Sequence, residues 1–371
     1  MKKKTLIVKI GTSSLTDDSG KLDQNQLSHH VESIHRLKHS GYQVVLVSSG
    51  AVAAGFHELG FTCRPQTLVG KQAAAAVGQG HLVQRYREEF ARRNESCAQV
   101  LLTRSDFEHR SRYLNALNTL NCLLNQGIIP IINENDSVAV DEIRWGDNDT
   151  LAALVAGLLQ ADWLILITNT DGLYTANPLD HPRAKKIERI KQWDQSLFHM
   201  ASTGKSPLGS GGMQSKLLAA KKASETGIRV YIGSAGTHPD WMLHVLIDKG
   251  SGTYMDAQPR RFSRKEQWIA ACSRPQGLLT VDEGAAQALL SGGKSLLPCG
   301  ITEVTGTFEA GEIVEVIRPG NLPLGRGLCR YSATLLHQVK GWHTQEVTRL
   351  SPHHPEEVIH RNDWVPASVI P

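Results

Sequence analysis

"TLIVKIGTSSLT", residues 5–16, runs from an unbroken apolar stretch into a lysine, a glycine and a cluster of hydroxyl side chains. Its first part, "TLIVKI" (5–10), is apolar in continuous rather than alternating fashion up to Lys9, which suits a strand buried on both faces, as in a parallel sheet. Five more runs share that character: "QVVLVSS" (43–49), "AQVLLT" (98–103), "IIPIIN" (128–133), "WLILIT" (163–168) and "RVYIG" (229–233). Helical patterns lie between them. Leu27, Val31, Ile34 and Leu37 recur at helical spacing and stop at Gly41, and Leu82, Tyr86 and Phe90 repeat the pattern. Leu114, Leu117 and Leu124 do the same and stop at Gly127, as helices commonly do. Strands alternating with helices predict an α/β fold, a three-layer αβα sandwich around a mainly parallel sheet with right-handed crossovers.

Polar or glycine-rich clusters follow nearly every strand: "GTSSLT" after the first, "SSGAVAAG" after the second, "NENDS" (133–137) and "NTDGLY" further on. In a parallel sheet these positions fall together on the carboxyl edge, where ligands bind. Each cluster alone is an ordinary polar loop. Their coincidence predicts one composite site.

At 371 residues, two domains are expected. We read residues 1–255 as the α/β domain and 256–276 as a linker carrying a basic knot, Arg260, Arg261, Arg264 and Lys265. Residues 277–371 read as a small, mainly β domain, in which "GTFEAGEIVEVI" (306–317) has the character of a hairpin with an Ala-Gly turn. The net charge of +4 is small and demands neither nucleic acid nor an anionic membrane. No run approaches the roughly 18 apolar residues of a membrane span. The start lacks the apolar core of a signal peptide. Six scattered cysteines form no C-x-x-C pair. A cytoplasmic protein with free thiols is the expectation. The late histidines His337, His343, His353, His354 and His360 fit no ligand spacing and read as surface residues, so no metal site is expected.

Familiar nucleotide motifs are missing. "TGKS" (203–206) and "GGKS" (292–295) resemble pieces of a P-loop, but His199 and Ala288 stand where its first glycine belongs. Phosphate is suggested by another route. Lys9 ends a strand ahead of Gly11, whose backbone could cradle phosphate oxygens beside the lysine charge. In "LGSGGMQSKLLAAKKASETG" (208–227), Lys216 lies at a helix start behind an oligoglycine loop. A cation is disfavoured there unless an anion compensates, and a bound polyphosphate would do so. Two acidic groups, "NENDS" and "GDNDT" (146–150), precede or begin helical segments. Capping accounts for one aspartate of the second group and leaves the rest unexplained. Lysines together with acids fit phosphoryl transfer, the more so if the acceptor carries an ammonium group.

At this point the motifs resemble a known family. "VKIGTSSLT", "VSSGAVAAG", "KQAAAAVGQ", "LLTRSDF", "INENDSVA", "GDNDTLAA", "GLYTANP", "GSGGMQSK" and "VDEGAAQAL…LLPCGI" occur in the order and spacing of the glutamate 5-kinases. Those belong to the amino acid kinase superfamily and carry a C-terminal PUA domain. The resemblance spans about residues 4 to 360. It implies transfer of the γ-phosphoryl of ATP, as its Mg2+ complex, to the side-chain carboxylate of L-glutamate. By the family's pattern Lys9 and Lys216 stabilise the phosphoryl group in flight and Asp149 holds the two lysines. Ser49, Asp136 and Asn148, with Asp147 beside them, match the glutamate-binding positions. Thr168, Asn169 and the loop Ser210, Gly211, Gly212, Met213, Gln214, Ser215, Lys216, together with Lys9, match the nucleotide-binding positions. Asn169 stands where aspartate is common, and Ser210 where threonine is.

Helix faces on an open sheet often pair, which favours a homo-oligomer, a dimer or tetramer, and the resembling family includes members inhibited by proline and members that are not. A related kinase acting on aspartate, N-acetylglutamate, carbamate or a nucleoside monophosphate is the alternative within the same chemistry. PUA domains elsewhere contact RNA, which keeps RNA binding as an alternative of another class. No RNA motif with interleaved aromatics is present in the chain.

Overall fold

The computed structural model describes residues 3–17, 19–138, 148–178, 180–201, 212–258, 263–291, 293–350 and 355–370. The chain divides into two compact units, Met1–Arg104 with Asn115–Arg261, and Ser105–Leu114 with Phe262–Pro371. In the first unit one sheet contains β1 (Thr5–Ile10), β2 (Gln43–Ser48), β3 (Cys97–Leu102), β4 (Ile129–Glu134), β5 (Trp163–Ile167), β6 (Arg189–Ile190), β7 (Arg229–Gly233) and β8 (Thr253–Met255). Their order is β3-β4-β2-β1-β5-β7-β8-β6. Every pairing from β3 to β7 is parallel, whereas β8 runs antiparallel to β7. The mainly parallel α/β sheet expected from the sequence is present.

Period two divides β1 between two packing faces. Leu6, Val8 and Ile10 pack with Leu27, Val31, Ile34 and Leu37 of α1 (Gln24–His39). The same cluster takes in Leu82, Tyr86 and Phe90 of α3 (Leu68–Ala91), which follows the short α2 (Ala51–Gly55). Each fully buried Leu or Ile stabilises this layer by roughly 2 kcal/mol. Ile7 and Lys9 face the other way, where α4 (Asn148–Leu159) contacts β1 and β5 and α5 (Met213–Glu225) contacts α4 and β7. Asp23 caps α1 by accepting from the amides of Asn25 and Gln26, and the chain leaves the helix through Gly41 at φ 91°.

Two details depart from the sequence reading. β3 is an edge strand, so Gln99 and Leu101 are exposed and the strand is not buried on both faces. Leu114, taken as part of an apolar helix face, is also exposed, whereas Leu117 and Leu124 are buried.

The second unit contains a five-stranded sheet of β9 (Gly277–Val281), β10 (Ile301–Gly306), β11 (Ile313–Arg318), β12 (Leu322–Leu328) and β13 (Trp364–Pro366), in the order β10-β9-β11-β12-β13. The hairpin expected in "GTFEAGEIVEVI" does not form. β9 lies between β10 and β11, antiparallel to one and parallel to the other. Leu279 and Val281 are completely buried in a core cluster with Ala286, Leu289, Val314 and Val316. Phe308, in the turn, packs so tightly on Gly277 that a Cβ there would meet its ring at 2.3 Å.

The stretch read as a linker holds packed structure. Ser263 and Glu266 form a reciprocal capping box on the short helix Arg264–Gln267, which runs into a π turn. Trp268 is buried and donates its Nε1–H to the Phe107 carbonyl at 2.9 Å, which groups residues 105–114 with this unit. Arg260 and Arg261 lie outside the described residues. Among the described residues no helix is long and apolar enough to cross a membrane.

Candidate active site

Lys9 is the next-to-last residue of β1, and its odd position turns it away from the α1 layer. Asp149 is the second residue of α4, where a carboxylate is favoured by the helix dipole. Lys216 is the fourth residue of α5, at the end of its first turn. The three meet. Lys9 Nζ lies 2.7 Å from Asp149 Oδ1, and Lys216 Nζ lies 2.9 Å from Asp149 Oδ2. All are buried, at 3%, 0% and 8% exposure. Burial pushes the Asp149 carboxyl up, but the two ammonium groups and their hydrogen bonds outweigh it and hold it well below the usual carboxylate range. Asp149 therefore stays ionised. The sequence reading set a polyphosphate against the misplaced charge of Lys216, and the resemblance set Asp149 beside it; in the structure Asp149 is shared between Lys216 and Lys9, so one carboxylate faces two cations.

A second constellation adjoins the first through Asn148. Its Nδ2 donates to Ser49 Oγ at 2.9 Å and to Asn133 Oδ1 at 3.0 Å, and reaches the Ser48 carbonyl at 3.4 Å. Asn133 Nδ2 in turn donates to Gln79 Oε1 at 2.7 Å. Ser49 follows β2, and Gly50 behind it takes φ 107°, a left-handed turn that starts α2. The buried Asn148 Oδ1 and Gln79 Nε2 make no hydrogen bond, so an acceptor and a donor are left to meet something polar. Gln79 also lines a cavity of about 290 Å³ with Ala51, Ala75, Asn135 and Asp136. Burial raises the Asp136 carboxyl above its ordinary value, partly offset by the Arg64 guanidinium. Asp147 lies outside the described residues.

The nucleotide-binding positions are placed unevenly. Thr168 follows β5, half-buried, its amide donating to the Gly233 carbonyl at 3.0 Å. Asn169 is exposed and accepts from Ser14 Oγ at 3.3 Å. Gly212 is the N-cap of α5, and Met213, Gln214, Ser215 and Lys216 form its first turn. Ser215 Oγ donates to the Gly212 carbonyl at 2.8 Å. Ser210 and Gly211 lie outside the described residues. A Cβ on Gly11 would stand 3.5 Å from Lys9 Nζ and 3.7 Å from the Ile167 carbonyl, so the glycine keeps space open above the ammonium.

Three residues were not singled out from the sequence. Asn133 and Gln79 sat unremarked inside the quoted motifs "INENDSVA" and "KQAAAAVGQ". His30 is fully buried in α1 and hydrogen-bonds the Ser14 carbonyl through Nε2 at 2.9 Å, which anchors the loop after β1. Its signal was a histidine among the apolar positions Leu27, Val31 and Ile34. Burial lowers its pKa to about 4, so it is neutral and the Nε2–H donates.

Buried lysines flanking one aspartate, beside a polar pocket with unsatisfied groups, can stabilise an anionic transfer and orient a small polar acceptor. Both Asp149 oxygens face ammonium groups, so a magnesium ion does not fit on Asp149 itself.

Residues 4–234 match the model of the amino acid kinase family, and residues 277–350 match that of the PUA domain. The chain is 48% identical over 366 residues to the glutamate 5-kinase of Geobacillus kaustophilus, covering 98% of each chain. It is equally 48% identical over 368 residues to glutamate 5-kinase 1 of Bacillus licheniformis, with 98% of this chain and 99% of that one covered. Among solved structures, carbamate kinase from Giardia lamblia bound to AMP-PNP superposes with a TM-score of 0.50 at 18% identity, over 69% of this chain and 99% of that one. At that identity the likeness concerns the fold.

Proposed function

The chain belongs to the glutamate 5-kinase family of amino acid kinases, and on that premise we propose how its residues divide the work of phosphorylating the side-chain carboxylate of L-glutamate with ATP. The product is L-glutamyl 5-phosphate, the first intermediate of proline synthesis. A glutamate carboxylate oxygen attacks the γ-phosphorus, the bond from that phosphorus to the ADP oxygen breaks, and an acyl phosphate and ADP result. The nucleophile is already ionised at neutral pH, so no general base is needed. What remains for the protein is positioning and charge stabilisation.

The observation that carries this division is the buried Lys9–Asp149–Lys216 arrangement. An ammonium group has three donors, so each lysine can hold Asp149 and a phosphate oxygen together. Asp149 fixes both charges at one spacing before the substrates arrive, which supports transition-state stabilisation without reorganisation. Ser49, Asn148, Asp136 and Asp147 take the glutamate, with Asp136 on its ammonium group. Thr168, Asn169 and the segment 210–216 take ATP. Magnesium enters on the triphosphate, where it neutralises charge shared by the phosphate oxygens. The reaction belongs in the cytoplasm, where both substrates are.

Turnover measured as ADP release with Mg-ATP and a panel of acceptors tests this reading. L-Glutamate is expected to be the best. N-Acetylglutamate, which lacks an ammonium group, is expected to fail along with aspartate, carbamate and UMP. Equal or faster turnover with N-acetylglutamate would remove Asp136 from acceptor recognition.

A further inference from the structure

Outside the candidate active site, His35 and His39 stand four residues apart on α1, which puts both imidazoles on one face of the helix. Glu95 reaches the same point from the turn after α3. Asn94 takes a left-handed φ of 56°, the Glu95 amide donates to the Phe90 carbonyl, and the Asn94 amide donates to that of Ala91. This is a Schellman closure, and it fixes the direction in which Glu95 leaves the helix. His35 Nδ1 then lies 3.3 Å from Glu95 Oε1, and His39 Nε2 lies 3.6 Å from the same oxygen. The ligating atoms of all three residues fall within 4.8 Å of one another, with ring centroids 4.2 Å apart.

We propose that His35, His39 and Glu95 form a binding site for a borderline divalent cation of the zinc class. Metal–donor bonds of about 2.0–2.1 Å place neighbouring tetrahedral donors about 3.3–3.4 Å apart, close to the spacing of the carboxylate oxygen from each ring nitrogen. An ordinary histidine–carboxylate pair accounts less well for the same contacts. His35 Nδ1 is shielded from solvent and makes no hydrogen bond, although a carboxylate oxygen is 3.3 Å away. Close approach without an N–H···O line is what two ligands of one ion show. Lys38 engages the other oxygen, Oε2, and leaves Oε1 turned toward the rings. It acts as an outer partner that orients a ligating carboxylate. His39 is largely exposed, so a fourth position is open to water and the ion can exchange. Bound there, the cation ties the end of α1 to the turn that leads into the edge strand β3.

Zinc chloride titrated into the chelator-treated full chain, with competition from a chromogenic chelator, tests the site against the double variant His35→Ala/His39→Ala. Wild type is expected to take up one equivalent that the double variant does not, and each single variant to bind at least tenfold more weakly. Zinc is also expected to raise the thermal midpoint of wild type alone. The double variant retains the Glu95–Lys38 pair and touches no substrate, so unchanged turnover with Mg-ATP and glutamate shows that it has folded. The pair His35→Gln/His39→Gln serves if the alanine variant does not fold. Equal zinc uptake by the folded variant and wild type would overturn the proposal, as would a thermal shift common to both.

Discussion

Asp149 and Glu89 are both buried carboxylates of the first unit, at 0% and 1% exposure, and each faces two basic side chains. Their surroundings differ in kind. Glu89, in α3, receives Arg92 and Arg93 and also neutral donors, Gln24 Nε2 at 2.7 Å and Ser28 Oγ at 2.9 Å. Arg92 is mostly exposed, so part of the charge is already in water. Hydrogen bonds fill the remaining lone pairs and the group closes α1 onto α3. Asp149 faces two buried ammonium groups, with Ser215 Oγ beside them at 3.4 Å. A buried cation pair around one anion leaves excess positive charge, which an incoming phosphate relieves. The difference teaches that burial and pairing do not mark function. Net charge does.

The largest expected effect is that of Asp149→Asn, which strands two ammonium groups in a dry site. We expect it to lower stability by about 3–5 kcal/mol, read from urea unfolding, and to abolish most turnover. Glu89→Gln is expected to destabilise as well but to leave kcat near wild type; loss of turnover in that variant would break the comparison. Next, Lys216→Ala is expected to reduce kcat about 10²–10³-fold with little change in KM for glutamate. Near-normal kcat would take Lys216 out of the chemistry.

His30 sharpens the comparison as a buried ionisable group with no counter-charge among the described residues. Burial depresses its folded pKa to about 4 from 6.5, against the opposing pull of the Ser14 carbonyl. The unfolded chain therefore binds the proton first, and stability is lost as pH falls from 6.5 to 4. The shift corresponds to roughly 3 kcal/mol. Urea midpoints measured across that window are expected to fall for wild type and to flatten for His30→Gln. Smallest, Asp136→Ala is expected to raise KM for glutamate about ten- to a hundredfold and leave KM for ATP nearly unchanged. Equal losses for both substrates would point to a general defect. Because burial raises the Asp136 carboxyl, KM for glutamate should already climb on acidification at a pH above the ordinary aspartate value.

Much of the first unit was legible because its strands are buried on both faces and announce themselves as continuous apolar runs. β3 shows the limit, since an edge strand with exposed Gln99 and Leu101 has the same composition as a central one. In the second unit residues 306–317 were read as a hairpin about the Ala-Gly turn, because nearby β-rich runs usually pair; β10 ends at Gly306 and only β11 begins within that stretch. The competing partner, β9, lies far enough back in sequence that no local pattern shows it. Within the candidate site, the lysines and acids were visible as motifs. Gln79 and His30 were not, because a glutamine in an alanine-rich helix and a histidine in a core face look like helix composition.

By itself the sequence determined the parallel α/β class and the family, and it pointed to the carboxyl edge as the candidate site. These depend on period, order and spacing, which are properties of the chain. The resemblance implied that Lys9 and Lys216, 207 residues apart, share one aspartate, and the tertiary structure brings the three into contact. Only the tertiary structure decided that Asn148 joins Ser49 to Asn133, and that Glu95 meets two histidines from another helix. Those are distances across strands and layers, and they arise only when the sheet order and the register of each strand place remote residues side by side.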